Sequence, residues 1–340
     1  MSIQPQTETE TETSFILPDL LALSSAFPFG DNPAYVPTIE SRSWLTPEHV
    51  QNPVVLAALT NGSIDLGRLA ALVNPNASPA GLDASCELFY LITLVDDTSD
   101  KQSGAGAQKT VESFLNVLRD PHCDDGTSLA RITRAFCERL GPWTGTPAFA
   151  RFRRQCESWL KHTAEEATLR ESGTMLSFEE FTRLRRESSA VQVGLALMEF
   201  SLGMNLPDEV YKDEDFEALY WATVDLNCID VYSYRRERSQ GIDMCNILTV
   251  LRHDKGLTLQ GASDWMGDHF QGLREAFFAA RRTLSARTFG NAQTDSDLQR
   301  LLTEFGHWTT GNIVWCFETK RYFGEARFKV METRLVELNS

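Results

Sequence analysis

Apolar residues recur every three or four positions through most of this chain, which is the spacing of one face of an α-helix. The pattern is clearest over residues 81–97, 108–120, 127–141 and 150–173. Strict alternation of apolar and polar residues, the mark of a half-buried strand, is nearly absent, and no internal repeat is visible. The sequence therefore predicts an all-α protein with roughly ten or more helices in one domain.

Two longer stretches in the second half of the chain carry the same pattern. Residues 177–200 begin with Ser177 and Glu180, the two members of a capping box. Small residues at 188–190 allow either a local helix break or the close approach of another backbone. Residues 216–238 are predicted to form one uninterrupted helix that stops at Gly241. Further helices are predicted over residues 54–62, 63–75, 246–256, 264–284 and 298–324.

The N-terminal part of the chain lacks this helical pattern. Residues 1–14 include the repeat TETETET and are expected to be a disordered acidic tail. Prolines recur through residues 15–50, which are expected to form an irregular arm. The helical domain is predicted to span residues 51–335.

Charge and cysteine usage narrow the class of protein. Lys and Arg number 32 and Asp and Glu number 47, which gives a net charge of −15 and disfavours binding to nucleic acid. Any anionic ligand must therefore be held by a local basic cluster or by metal ions. The seven cysteines form no CxxC pair, which indicates reduced thiols and a cytoplasmic protein. No signal peptide or apolar run long enough to span a bilayer is apparent.

An apolar helix that ends in clustered acids is the first candidate site. The run CELFYLITLV, residues 86–95, is followed by Asp96, Asp97 and Asp100. Asp96 and Asp100 are four residues apart and share a helix face. Two such carboxylates suit Mg²⁺, which takes one or two carboxylates together with substrate phosphates. A solvated acidic helix end is the alternative.

The residues before these acids predict an apolar pocket with the metal at its mouth. Phe89, Ile92 and Thr93 lie one to two helical turns before Asp96 on the same side. A second acidic string, residues 120–125, has no apolar helix before it and is predicted to be a solvated loop.

The second candidate site lies within residues 225–238. Ser233 and Glu237 are four apart, and Asp225 and Asp230 flank their face on a continuous helix. A hydroxyl and carboxylates supply oxygen ligands for a metal, and neighbouring arginines supply donors for phosphate. An ordinary charged surface helix is the alternative, but the interspersed apolar residues argue for burial. These residues are Trp221, Val224, Ile229 and Tyr232.

Two basic segments accompany the acid clusters. One carries arginines at positions 183, 185 and 186 just before the small residues at 188–190. The other, near the C-terminus, reads WCFETKRYF and carries Lys320, Arg321 and Tyr322. Each segment alone is unremarkable, but together they supply cations to an acidic protein.

Taken in order, these segments resemble the class I terpene synthases, particularly the single-domain microbial sesquiterpene cyclases. DDTSD at 96–100 resembles the aspartate-rich DDxxD motif, and IDVYSYRRE at 229–237 resembles the NDxxSxxxE metal triad. LRRESS at 184–189 resembles the arginine sensor segment, and WCFETKRY at 315–322 fits the WxxxxxRY pattern. The resemblance covers about residues 50–325. It implies an all-α barrel around a central active-site cavity.

The resemblance also implies a reaction, in which farnesyl diphosphate is ionised with three Mg²⁺ ions, or Mn²⁺ as a substitute, and is cyclised to a C15 terpene. The sequence does not name the product, and a humulene-type macrocycle is our guess. The implied metal ligands are Asp96, Asp100, Asp230, Ser233 and Glu237. The implied diphosphate-binding residues are Arg183, Arg185, Arg236, Lys320, Arg321 and Tyr322, of which Arg185, Arg321 and Tyr322 join Asp96 as catalytic residues. The expected pocket residues are Phe89, Thr93, Ser189, Phe200, Trp221, Trp308 and Trp315.

One position departs from the family pattern and leaves a question open. Ile229 stands where the second motif has an asparagine ligand, so Asp230, Asp225 or water must fill that role if it is filled. A trans-prenyl diphosphate synthase is the nearest alternative, but its second DDxxD motif is absent. A non-catalytic helical scaffold is the alternative of another class, and the absence of DxDD disfavours a class II cyclase. A monomer or homodimer acting on a prenyl diphosphate is expected.

Overall fold

The computed structural model describes residues 12–36 and 64–338, and helices dominate these ranges. The predicted helix at 54–62 lies outside the described residues. Two short strands, β1 (Ser14–Ile16) and β2 (Leu335–Glu337), pair antiparallel with Phe15 opposite Val336. The helices are α1 (Leu20–Leu23), α2 (Leu66–Val73), α3 (Pro79–Ser99), α4 (Gly104–Arg119), α5 (Ser128–Arg139), α6 (Pro147–Ser172), α7 (Phe178–Ser188), α8 (Val191–Ser201), α9 (Asp208–Tyr211), α10 (Glu214–Asn227), α11 (Tyr234–Gln240), α12 (Ile247–Lys255), α13 (Leu259–Ser285), α14 (Ala292–Glu318), α15 (Lys320–Phe323) and α16 (Arg327–Thr333).

Local sequence signals explain most of the helix ends. Ser78 caps α3, whose first residue is Pro79, and the capping box of Ser177 and Glu180 opens α7 as predicted. Gly173 and Gly241 end α6 and α11 in the left-handed conformation that glycine adopts without strain.

The chain breaks at two places that position the site. Residues 177–200 form two helices, because Ala190 takes a left-handed conformation with φ of 60° between α7 and α8. The prediction of one uninterrupted helix over 216–238 is wrong, since α10 ends at Asn227 and α11 starts at Tyr234. The intervening loop is closed by side-chain bonds, because the Asp230 carboxylate accepts the N–H of Ile247 and its carbonyl accepts the Ser233 hydroxyl.

Helices α2, α3, α6, α8, α10 and α14 surround a central cavity. Backbones approach closely where glycine permits it. A Cβ at Gly311 of α14 would lie 2.4 Å from the Leu72 carbonyl oxygen of α2, and a Cβ at Gly81 of α3 would lie 2.5 Å from the Ser201 backbone of α8. These contacts fix the spacing of the helices that form the cavity wall.

The two ends of the described chain meet behind α11. Next to the β1–β2 pair, Phe15 packs edge-to-face against the fully buried Tyr234, with ring centroids 5.7 Å apart. The Glu12 carboxylate pairs with Arg252 at 2.7 Å, and Arg252 also donates to the Tyr234 hydroxyl. The N-terminal arm therefore supports the helix that carries the second acid cluster.

All seven cysteines are free thiols, as expected from their spacing. None of the helices in the described ranges has the length and apolar character that a membrane span requires.

Gly311→Ala is expected to lower the free energy of unfolding by about 1–3 kcal/mol, because the added methyl group meets backbone that cannot rotate away. Gly272→Ala on α13 is the matched control, since a Cβ there meets nothing within 4 Å. The control is expected to stabilise the protein slightly through helix propensity. Chemical denaturation of both variants checks this, and equal effects would contradict the proposed helix contact.

Candidate active site

A cavity of about 230 Å³ lies at the centre of the helices. Its inner part is apolar and aromatic, with Phe89, Ile92, Val191 and Trp308 on its wall. Its mouth carries the ends of α3, α6 and α11 together with the α10–α11 loop. The charged residues there are Asp96, Asp100, Glu166, Asp230 and Glu237, facing Arg170, Arg185, Arg236 and Arg321.

The first acid cluster is assembled by the last turn of α3. One oxygen from each of Asp96, Asp97 and Asp100 lies within 4.8 Å of the others. Burial raises the pKa of Asp96, and the charge of Arg321 offsets only part of that effect. Burial and the charge of Asp96 raise the pKa of Asp100 to about 7. Close carboxylates that resist ionisation in this way gain from a bound cation.

Asp97 plays a different part from its neighbours. Its carboxylate accepts hydrogen bonds from Arg321 at 2.8 Å and from Arg236 at 3.0 Å. Burial alone would raise the pKa of Asp97, but the two guanidinium groups hold it below its usual value. Asp97 therefore neutralises two of the four arginines at the cavity mouth.

The second acid cluster lies across the cavity mouth on the α10–α11 loop and α11. Burial and the charge of Asp230 raise the pKa of Glu237 to about 8. Burial raises the pKa of Asp230 to about 6, although Arg185 Nε lies 3.6 Å from its carboxylate. Ser233 and Glu237 keep a helical spacing despite the loop, because the Glu237 N–H donates to the Ser233 carbonyl.

Two residues of α6 at the cavity were not predicted from the sequence. Glu166 lies 4.0 Å from Arg185, and Arg170 lies 3.3 Å from Asp100. A signal for them exists, because Trp159, Thr163, Glu166 and Arg170 follow one another at helical spacing on one face of α6. The first two of these are buried, so the charged pair continues a buried face.

Ile229 lines the cavity and is 8% exposed. Its side chain is a hydrocarbon, so this position offers no ligand atom. Asp225 does not replace it, because both of its oxygens accept hydrogen bonds from Arg186 at 2.7 Å. Asp230 does face the cavity, together with Asn227 from the end of α10.

The structure corrects several expected site residues. Arg183 points to solvent beside Glu179, and Lys320 pairs with Glu325 on the surface. Trp315 donates its indole N–H to the carbonyls of Ile64 and Asp65 instead of facing the cavity. Thr93, Phe200 and Trp221 also lie outside the cavity wall, Phe200 against Trp143 and Trp221 beneath Arg186. The direction of each side chain depends on how its helix is rotated about its own axis, and motif spacing does not determine that rotation.

The other expected site residues lie together at the cavity. They are Asp96, Asp100, Asp230, Ser233 and Glu237 among the expected ligands, Arg185, Arg236, Arg321 and Tyr322 among the expected diphosphate partners, and Phe89, Ser189 and Trp308 among the expected pocket residues. The donor atoms at the mouth are carboxylate and hydroxyl oxygens, which fit a hard divalent cation.

An all-α barrel with this cavity has the architecture of the class I terpene synthases. The chain belongs to the terpene synthase family, since residues 87–275 match the model described as Terpene synthase family 2, C-terminal metal binding. The matched range includes both acid clusters. Membership therefore implies the use of a divalent metal.

Curated relatives are similar over nearly all of this chain and over 76–94% of their own length. The chain is 37% identical over 333 residues to Linoleate 10R-lipoxygenase COP4 of Coprinopsis cinerea, covering 96% of this chain and 94% of the relative. It is 37% identical over 329 residues to Bifunctional terpene synthase Agr4 of Cyclocybe aegerita, with the same coverage. It is 35% identical over 330 residues to Sesquiterpene synthase Agr5 of the same fungus, covering 95% and 76%.

Solved structures of similar fold are more distant in sequence. Wild-type cucumene synthase superposes with a TM-score of 0.70 at 17% identity, over 86% of this chain and 99% of that chain. Germacradien-4-ol synthase from Streptomyces citricolor gives 0.72 at 17% identity, over 85% and 97%. At these identities the likeness establishes the fold.

Asp97→Asn is expected to raise the affinity for inorganic diphosphate in the absence of metal, because Arg236 and Arg321 lose the carboxylate that neutralises them. Hydrogen bonds between charged groups contribute about 1.5–3 kcal/mol, so an increase of about tenfold or more is expected. Titration calorimetry in EDTA measures this. Asp124→Asn in the solvated loop is the control, and equal affinities in both variants would contradict the role of Asp97.

Proposed function

We propose that this protein is a Mg²⁺-dependent sesquiterpene synthase that ionises farnesyl diphosphate and cyclises the resulting cation to a C15 terpene. The observation that carries the proposal is the composition of the cavity, in which an apolar interior ends at two acid clusters and a set of arginines. The name of Agr4, a bifunctional terpene synthase at 37% identity, supports terpene synthesis, and that of Agr5, a sesquiterpene synthase at 35% identity, supports a prenyl diphosphate of this length. A humulene-type macrocycle remains the expected product.

The residues fit the metal that the family implies. Asp96 and Asp100 would hold it on one side of the mouth, and Asp230, Ser233 and Glu237 on the other. Bound Mg²⁺ supplies positive charge that stabilises the leaving diphosphate. The raised pKa values of Asp100 and Glu237, about 7 and about 8, support this assignment, because clustered buried carboxylates are stabilised by a cation.

Four side chains would bind the diphosphate oxygens. Arg185, Arg236, Arg321 and Tyr322 line the mouth, and their donors suit phosphate. Arg236 and Arg321 must leave Asp97 to do so, which makes diphosphate binding an exchange of one anion for another. This exchange would couple ligand binding to a rearrangement of the Arg236 and Arg321 side chains.

The inner cavity would hold the hydrocarbon chain. Phe89 and Trp308 lie edge-to-face with ring centroids 5.8 Å apart, and aromatic faces stabilise cations. The buried wall would exclude water, which would otherwise quench the carbocation. Chain cyclisation needs only this enclosed space, whereas a prenyl diphosphate synthase must also admit a second substrate.

The name of the relative from Coprinopsis cinerea denotes fatty-acid oxygenation and suggests a different chemistry. The cavity wall, as far as the structure describes it, contains no histidine to hold a redox metal. Its carboxylate and hydroxyl donors suit Mg²⁺, so the terpene synthase proposal is favoured.

Incubation with farnesyl diphosphate and Mg²⁺ is expected to release diphosphate and a C15 hydrocarbon or alcohol, detected by gas chromatography. Asp96→Ala and Glu237→Ala are each expected to lower the turnover number by a factor of about 10² or more, because the charge that develops in the transition state is then less stabilised. Asp124→Ala is the control and is expected to retain full activity. Thermal melting of all three variants checks that the fold is intact.

Two outcomes would contradict this assignment. The synthase proposal fails if geranyl, farnesyl and geranylgeranyl diphosphates all give no terpene product. The metal assignment fails if both alanine variants turn over as fast as the Asp124→Ala control.

Gly194 of α8 is expected to set the room available to the substrate. A Cβ at this position would lie 2.2 Å from the Trp308 ring, so Gly194→Ala must push the indole toward the cavity. The variant is expected to lower kcat/KM for farnesyl diphosphate about tenfold relative to geranyl diphosphate, because the longer chain loses space. Steady-state kinetics with both substrates measures this ratio.

The double variant Gly194→Ala/Trp308→Phe should recover part of the preference for farnesyl diphosphate, because phenylalanine lacks the ring atoms that clash. Gly272→Ala on α13 is the control for helix substitution. An unchanged substrate ratio in Gly194→Ala, with the fold intact, would show that Trp308 does not limit the cavity.

A further inference from the structure

Asn246 lies directly behind the second acid cluster and is fully buried. It is the residue that precedes α12, and its side-chain oxygen accepts the N–H of Leu248 at 2.9 Å as the helix cap. This bond fixes the orientation of the amide, so the NH₂ group points away from α12. The opposite orientation would place the amide oxygen against other acceptors.

The amide NH₂ group contacts three oxygen atoms of the α10–α11 segment. It donates to the Glu237 carboxylate at 2.8 Å, to the Asp230 carbonyl at 3.0 Å and to the Ser233 hydroxyl at 3.2 Å. An amide has two N–H donors, so one of them is shared between two acceptors. The same side chain thus connects both proposed ligands, Ser233 and Glu237, to the start of α12.

These bonds leave the ligand atoms able to bind a cation. A carboxylate has about four lone-pair sites and a hydroxyl has two, so each keeps acceptor capacity after one bond from Asn246. The Ser233 hydroxyl donates to the Asp230 carbonyl at 2.8 Å, which directs its proton away from the amide. Hydrogen bonds of this kind orient ligands, and their loss typically costs about 10–100-fold in metal affinity.

We infer that Asn246 is a positioning residue, which holds Ser233 and Glu237 in place for the metal. This inference rests on the proposed function. Since the loop between α10 and α11 is not helical, the two side chains need a support from outside their own segment. The buried cap of α12 provides it.

Two substitutions separate the positioning role of Asn246 from its role as the cap of α12. Asn246→Asp and Asn246→Ser both retain an oxygen that caps α12, but neither offers the NH₂ donors. Asn246→Asp also places a second carboxylate beside Glu237. The matched controls are Asn291→Asp and Asn291→Ser. Asn291 is the exposed cap of α14, and its side-chain oxygen likewise accepts the N–H of the residue two positions later.

Binding of Mn²⁺ with inorganic diphosphate, measured by electron paramagnetic resonance, is the readout. Both Asn246 variants, measured well below their melting temperatures, are expected to bind Mn²⁺ about 10–100-fold more weakly than wild type, whereas the Asn291 variants keep wild-type affinity. Wild-type Mn²⁺ affinity in both folded Asn246 variants would overturn the inference. Failure of the wild-type protein to bind Mn²⁺ with diphosphate would instead overturn the proposed function.

A measurement on the wild-type protein keeps the test valid if both variants unfold. The side-chain amide protons of Asn246 are expected to exchange slowly with solvent in ¹⁵N NMR spectra, whereas those of Asn291 exchange fast. Fast exchange at Asn246 would overturn the inference, because the three bonds would then not persist in solution.

Discussion

The mutual compensation of carboxylates and guanidinium groups at the cavity mouth is the interaction on which the rest of the structure depends. Five carboxylates and four arginines among the described residues line one partly buried opening. Burying either set alone would be costly, since unpaired charges lose hydration that the protein does not replace. The pairing is incomplete, because Asp100 and Glu237 have pKa values raised to about 7 and about 8. A bound cation would stabilise the carboxylates that the arginines leave only partly neutralised.

The helices are arranged so that each supplies one part of this charge set. The last turn of α3 carries Asp96 and Asp100, α6 adds Glu166 and Arg170, and the broken α10–α11 segment places Ser233 and Glu237 opposite. Backbone contacts at Gly81 and Gly311 fix the distances between the walls. The N-terminal arm and Asn246 then support α11 from behind.

Sequence patterns predicted the all-α fold, and the ordered motifs identified the family that the comparisons confirm. Helical periodicity is a strong local signal, so α3 and α6 were predicted near their observed bounds, whereas α14 begins at Ala292, six residues before its predicted start. The loop after Asn227 was missed because its cause is tertiary, a bond from Ile247 to Asp230. Glu166, Arg170 and Asn246 were missed because no short motif includes them, although helical spacing after two buried residues of α6 marks the first two. Trp221 and Trp315 were placed at the cavity although helix rotation turns them away.

The central claim is that both acid clusters bind metal together with diphosphate. A crystal structure of the protein soaked with Mg²⁺ and inorganic diphosphate tests this most directly. The account predicts metal ions bound by Asp96 on one side and by Ser233 and Glu237 on the other, with Arg321 moved from Asp97 to the diphosphate. Diphosphate bound without metal at either cluster, or with the Arg321–Asp97 pair intact, would contradict it.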